Sequence, residues 1–154
     1  MKYLVAYFSA SGVTADVAKK ISKHFTNSDL YEIKPEIPYS DDDLDWRNKN
    51  SRSSIEMKNK SSRPKIIKDD ININDYDKIL IGFPIWWYTA PTIINSFLEA
   101  YDFTNKEIIL WATSGGSGLG TSKEDLSKST KGNIKLGHVI NSDNSLKEFI
   151  KSIK

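Results

Sequence analysis

Three short stretches carry residue types that could bind a ligand, and each has its own chemistry. The first is Ser9-Ala-Ser-Gly-Val-Thr14, where hydroxyls alternate with small residues just before a helical pattern. A helix start presents unpaired N–H groups and a partial positive charge, so such a loop can cradle a phosphate. It has no lysine ahead of a Ser/Thr, as a nucleoside-triphosphate loop requires, and only Gly12 of the three glycines of a dinucleotide fingerprint. The chain has no cysteine, so the nucleophile of a cysteine phosphatase is absent as well. A terminal phosphomonoester held by neutral donors is the chemistry that survives. Taken alone, the loop is equally well explained as a hydroxyl-capped helix start with no ligand.

The second stretch is Gly82-Phe-Pro-Ile-Trp-Trp-Tyr-Thr-Ala-Pro91. Pro84, Ile85, Trp86, Trp87 and Tyr88 put three consecutive aromatics where a strand end cannot bury them all, so they could form a platform against a flat heterocycle. At least one tryptophan is expected to pack into the core instead. The third stretch, Thr113-Ser-Gly-Gly-Ser-Gly-Leu-Gly120, is rich in glycine, so its backbone amides and carbonyls can approach a neighbour closely. Composition alone would make it a flexible turn. Thr113, Ser114, Gly115, Gly116 and Ser117 are nevertheless its candidate contact residues, because all three stretches follow strand-like runs.

Those runs are Lys2–Ser9, Lys78–Pro84 and Glu107–Ala112, unbroken apolar segments of the kind buried on both faces of a parallel sheet. Leu30–Ile33 and Ile134–His138 are shorter candidates, the latter alternating like an edge strand. Helical stripes lie between them: Val13, Val17, Ala18, Ile21 and Phe25; Ile93, Ile94, Phe97, Leu98 and Tyr101; and Leu146, Phe149, Ile150 and Ile153. Ser145 with Glu148, and Thr121 with Glu124, have capping-box spacing, and Pro91 suits a first helical turn. Alternating strands and helices predict an α/β fold. In open sheets of this class the ligand crevice lies at the carboxyl ends of the strands, where the three loops fall.

The connection from Lys34 to Asp77 breaks the alternation, being far longer than the roughly 2–6 residues usual between such elements. A short helix is expected at about Ser53–Asn59, with an apolar stripe of only Ile55 and Met57. The interspersed Tyr39, Leu44, Trp46, Ile55 and Ile66 favour an ordered cover over a disordered excursion.

All three loops, in order, resemble those of the flavodoxin-like FMN-binding proteins. The matching stretches are Tyr7–Thr14, Gly82–Trp87 and Ala112–Gly118, and the connection is similar to that of a subgroup through Pro38-Tyr39, Asp43-Leu44 and Arg63-Pro64-Lys65-Ile66. The resemblance implies one domain over residues 1–154: a flavodoxin-like doubly wound five-stranded parallel sheet of order 2-1-3-4-5 with helices on both faces. Flavodoxin is itself the standard case of that order, which is taken here from the resemblance. It also implies that Ser9, Ala10, Ser11, Gly12, Val13 and Thr14 bind the FMN phosphate. Pro84 to Tyr88 would flank the isoalloxazine, and Thr113 to Ser117 would contact its pyrimidine edge. The connection at 34–77 would cover the flavin site. Ser9 and Ser11 stand where flavodoxins commonly have threonines, which keeps the hydroxyls.

Overall charge bears on partners. Lys and Arg number 22 against 20 Asp and Glu, a net charge of +2. Carrier flavodoxins are typically strongly acidic, and docking by complementary charge depends on that. The expected function is therefore electron transfer through FMN, with either a redox partner protein or NAD(P)H and a quinone or nitro acceptor. A non-catalytic binding or signalling module is the other class. Receiver domains, however, need an acidic pair where this chain has Phe8 and Ser9, and the acidic run Asp41–Asp43 lies elsewhere. The basic residues between Arg47 and Lys68 are more simply a solvated surface than a nucleic-acid site. With only His24 and His138 and no cysteine, a metal centre is not expected. No membrane span or leader is apparent, so a cytoplasmic protein, monomeric or weakly dimeric, is expected.

Overall fold

Unbroken apolar runs become strands with both faces covered. The computed structural model describes residues 1–154. In chain order its elements are β1 (Tyr3–Tyr7), α1 (Val13–Lys23), β2 (Ser28–Glu32), α2 (Arg52–Lys58), β3 (Lys78–Pro84), α3 (Thr92–Ala100), β4 (Glu107–Thr113), α4 (Ser122–Ser127), β5 (Asn133–Val139) and α5 (Asp143–Ile153). The sheet runs β2-β1-β3-β4-β5 with every neighbouring pair parallel, the order implied by the family resemblance.

Successive strand side chains point to opposite faces, so the inner strands serve two cores. Leu4, Ala6, Phe8, Ile79, Ile81, Phe83 and Leu110 pack with Ile93, Ile94 and Phe97 of α3 on one face. Val5, Tyr7, Leu80, Ile109 and Trp111 meet Ala18 and Ile21 of α1, and Phe149 and Ile150 of α5, on the other. Trp111 is wholly buried, and its indole lies over Gly82 of the adjacent strand. A β-carbon on residue 82 would fall 2.1 Å from that ring. Glycine there is a packing requirement.

Several local expectations shift. Val13 is 58% exposed, because Thr14, one position on, takes the inward direction in the first turn of α1. Short α2 turns Ser53 and Ser54 inward and leaves Ile55 exposed: Ser54 bonds the Ser51 cap, and Ser53 lines a cavity instead of joining the apolar core. Helix α5 starts one turn before the expected cap: Ser142 accepts from Ser145 N–H at 3.1 Å, and Ser145 Oγ accepts from Ser142 N–H at 3.0 Å. Thr121 does sit at the N-terminus of α4, but its hydroxyl donates to Asp125 rather than capping. Pro91 is the cap residue of α3, one place before its first turn.

The connection between β2 and β3 is closed at its base. Glu36 N–H donates to Lys65 O at 2.9 Å, and Ile67 N–H donates to Lys34 O at 2.8 Å, on either side of an antiparallel bridge between Pro35 and Ile66. Arg52 fastens the loop beyond. Its guanidinium lies 3.8 Å from the Tyr39 ring centroid and donates to Ile37 O at 2.7 Å and to Glu56 at 3.1 Å. The Tyr39 hydroxyl donates to the other Glu56 oxygen. Burial first, and then that hydrogen bond, push the Tyr39 pKa far up, so the phenol stays protonated.

Candidate functional site at the carboxyl edge of the sheet

Serine hydroxyls shape two of the three loops. After β1, Ser9 Oγ accepts from Gly12 N–H at 3.1 Å and from Ala15 N–H at 3.2 Å, folding the loop back on itself. Gly12, with φ of 95°, then turns the chain into α1. The backbone N–H groups of Ala10, Ser11, Val13 and Thr14 donate to no acceptor in the protein. Helix starts leave such donors unpaired, and together they make a concave anion cradle. After β4, Ser114 Oγ likewise accepts from Gly116 N–H at 3.2 Å and Ser117 N–H at 2.9 Å. Such local side-chain turns hold a loop open where glycine alone would leave it loose.

One buried contact fastens these two loops together. Thr14 Oγ1 and Thr113 Oγ1 lie 2.7 Å apart, with both residues almost fully buried. Their hydroxyls are thus engaged with each other. Thr14 and Thr113 set the spacing of the loops, while the exposed Gly115 and Gly116 present backbone.

The aromatic stretch after β3 is a tight turn. Trp86 N–H donates to Thr89 O at 2.9 Å, and Thr89 N–H returns to Trp86 O at 3.2 Å. Between them Trp87 and Tyr88 both have positive φ, 48° and 64°. Bulky residues seldom adopt that region, at a cost of about 1–3 kcal/mol each. What holds the turn is its neighbour. The Tyr88 carbonyl accepts from Thr121 N–H at 3.1 Å, and Asp125 accepts from the Thr89 hydroxyl at 2.6 Å. Trp86 turns inward, edge-on to Phe8 and to Tyr39 with ring centroids 5.6 Å apart in each pair. Trp87 and Tyr88 stay exposed. Trp86 is therefore partly core, and Trp87 is the exposed one of the pair.

Together the second and third loops wall a cavity of about 470 Å³, within the range that takes a cofactor-sized ligand. Ile85, Trp86, Trp87 and Tyr88 form one side, and Ser114, Gly115, Gly116 and Ser117 another. Leu44, Trp46 and Ser53 close it from the connection. Pro84, Thr113 and the residues of the first loop lie outside this lining; Thr113 joins the two regions through Thr14. Ser53 escaped the sequence reasoning. Its hydroxyl is buried with no hydrogen-bond partner, and the available signal was a serine pair where a covering helix should carry apolar residues. No carboxylate, amine or imidazole lines the cavity, so the protein brings no strong acid–base group of its own there.

This arrangement agrees with the similarity of the whole chain: the flavodoxin family model matches residues 2–153. The chain belongs to the flavodoxin family. A candidate flavoprotein from Bacteroides eggerthii, solved by crystallography, is 43% identical, with a TM-score of 0.89 over 99% of this chain and 97% of that one. The flavoprotein of Lactobacillus acidophilus, crystallised in complex with FMN, is 26% identical, with a TM-score of 0.69 over 96% and 97% of the two chains. Among curated proteins, the rat NAD(P)H dehydrogenase [quinone] 1 is 25% identical over 72% of this chain. The match spans 49% of that rat protein, about half its length. As in flavodoxins generally, the sheet is doubly wound, and the three loops gather beside the strands where its winding reverses. No helix is long and apolar enough to cross a membrane.

Proposed function

We propose that this flavodoxin-family protein binds FMN non-covalently and works as an electron-transfer flavoprotein. The observation that carries the proposal is the row of unpaired amides at Ala10, Ser11, Val13 and Thr14, beside a cavity of aromatic and glycine walls that lacks acid–base groups. The amides and the Ser9 and Ser11 hydroxyls hold the terminal phosphate dianion. Ser9 Oγ already accepts two N–H groups, so its own hydrogen remains to donate. The N–H groups of Trp87 and Gly115 also lack acceptors in the protein, and they are the donors for the polar edge of the isoalloxazine. Trp86 and Trp87, with Ile85 and Tyr88, flank the ring and keep water from one side, while Leu44, Trp46 and Ser53 cover it from the connection. Bound FMN supplies the one- and two-electron chemistry, which this set of side chains could not perform itself.

A second reading, an NAD(P)H-dependent reductase of quinones or nitro compounds, is favoured by the connection. A wall built from Leu44, Trp46 and Ser53 shapes a substrate pocket that a simple carrier does not need. The rat relative's name points the same way. Steady-state NAD(P)H oxidation with a panel of acceptors separates the two readings. The FMN proposal itself is tested by calorimetric titration of the flavin-free protein. FMN should bind at least tenfold tighter than riboflavin. Equal affinities would refute the phosphate loop, and failure to take up either flavin would refute the proposal.

A further inference from the structure

A second cavity of about 680 Å³ adjoins the first, lined mostly by residues of the connection. Its chemistry differs. Trp46 and Trp87 line both cavities, so the two indoles form a shared wall. The rest of the lining includes Arg47, Lys49, Lys58 and Met57, and it contains no carboxylate. Arg47 is partly neutralised by Asp45 at 3.4 Å. Neither Lys49 nor Lys58 has an ion-pair partner, and the Lys58 ammonium merely donates to Lys49 O at 3.3 Å. The nearby Glu56 is already held by Arg52 and Tyr39, so the lysine charges are not compensated from the far side of α2.

Two neighbouring tryptophans left largely in water are unusual for a mere surface. Trp46 is 70% exposed and Trp87 is 44% exposed. Exposed apolar area rimmed by polar residues marks a binding surface, and here the rim is cationic. Aromatic faces select a planar molecule, and the lysines select a negative substituent on it. Met57 adds an adaptable apolar contact.

We propose that this second cavity binds a planar aromatic anion of one to three fused rings bearing a carboxylate or sulfonate. The ring rests on Trp46 and Trp87, and the anionic group faces Lys49 and Lys58. As to purpose, the proposal rests on FMN occupying the first cavity: the shared indole wall is then what separates the bound ring from the flavin, where an electron acceptor or its analogue would be held. Binding itself requires no flavin chemistry.

The test uses the FMN-loaded full chain and two redox-inert probes of equal size, 2-naphthoate and 2-naphthamide, titrated by calorimetry at low ionic strength. The acid should bind about fivefold tighter than the amide, the worth of two exposed charge contacts. K49E/K58E should abolish that ratio while leaving amide binding and the visible flavin spectrum unchanged. Trp46→Ala should weaken both probes. Equal binding of acid and amide to the wild type, or a ratio that survives the double charge reversal, would overturn the site. If the chain takes up no FMN, the same titration on the flavin-free protein still reads the second cavity, so failure of the flavin proposal and failure of this one remain distinct.

Discussion

Gly120 and Tyr88 meet backbone to backbone. A β-carbon at residue 120 would lie 1.8 Å from the Tyr88 carbonyl oxygen, and Gly120 itself has φ of 57°. The strained turn at Trp87 and Tyr88 is thus pinned by a residue more than thirty positions downstream that can only be glycine.

From this contact, Gly120→Ala should destabilise the protein by about 2 kcal/mol or more, through its own positive φ and the displacement of Tyr88. Gly118→Ala is the control, because a β-carbon there meets nothing within 4 Å. Urea denaturation of the two variants checks the difference. Comparable midpoints would mean that the turn is not held from this side.

The Thr14–Thr113 pair should show the asymmetry of a buried hydrogen bond. Thr14→Val or Thr113→Val alone strands one hydroxyl in an apolar setting, at about 1–3 kcal/mol. The double variant removes both groups and should cost clearly less than the sum. A strictly additive cycle would show that the hydroxyls do not depend on each other.

Asp125 gathers the site's periphery, accepting from Thr89, Thr121 and Lys60. Burial works to raise its pKa, but those three hydrogen bonds outweigh it and hold the carboxyl below its ordinary value. A folded-state pKa below the unfolded one means stabilisation that is complete above the unfolded value of about 4 and lost as the pH falls through the folded one. Asp125→Asn should therefore be less stable than wild type at pH 7, with the gap narrowing below about pH 4. Denaturation midpoints across that range check the sign. A gap that widened in acid would contradict it.

Arg52 should be the fastener of the connection. Arg52→Ala removes the stacking on Tyr39 and the hydrogen bonds to Ile37 and Glu56. Hydrogen exchange should speed up across residues 37–58 while β1, β3 and β4 keep their protection. Arg52→Lys should rescue little, because an ammonium lacks the planar fork that makes these contacts together. Full rescue by lysine would reduce the role to charge alone.

The inner strands were legible because burial on both faces writes itself as an unbroken apolar run, as in Ile79-Leu-Ile81. Edge strand β2 was legible only in part: Ser28 and Asp29 are polar, and the strand begins two residues earlier than its apolar core suggests. The strand order came from resemblance, since spacing alone does not choose among the ways of laying five parallel strands. Loop composition pointed to the carboxyl edge, and the structure does bring the aromatic and glycine loops to one cavity. Ser53 was hidden because a serine in a short helix looks like surface until the helix is seen to line a cavity. The division of labour between Trp86 and Trp87 was equally invisible. It depends on a turn with two positive φ values, which no local preference of tryptophan or tyrosine foretells.

The bridge between Pro35 and Ile66 has a kinetic side. Strand β1 pairs with β3 in register Tyr3↔Lys78, so the sheet cannot form its centre until the long excursion has been closed. Loop-closure entropy grows only as the logarithm of length. An excursion about ten times longer than an ordinary connection therefore adds roughly 2 kcal/mol to the search. The bridge at its neck divides that search into two shorter ones. A segment inserted between residues 59 and 61 lengthens only the first loop, and one inserted between residue 67 and β3 only the second; on the logarithmic cost, ten added residues at either place should slow sheet assembly by less than about twofold.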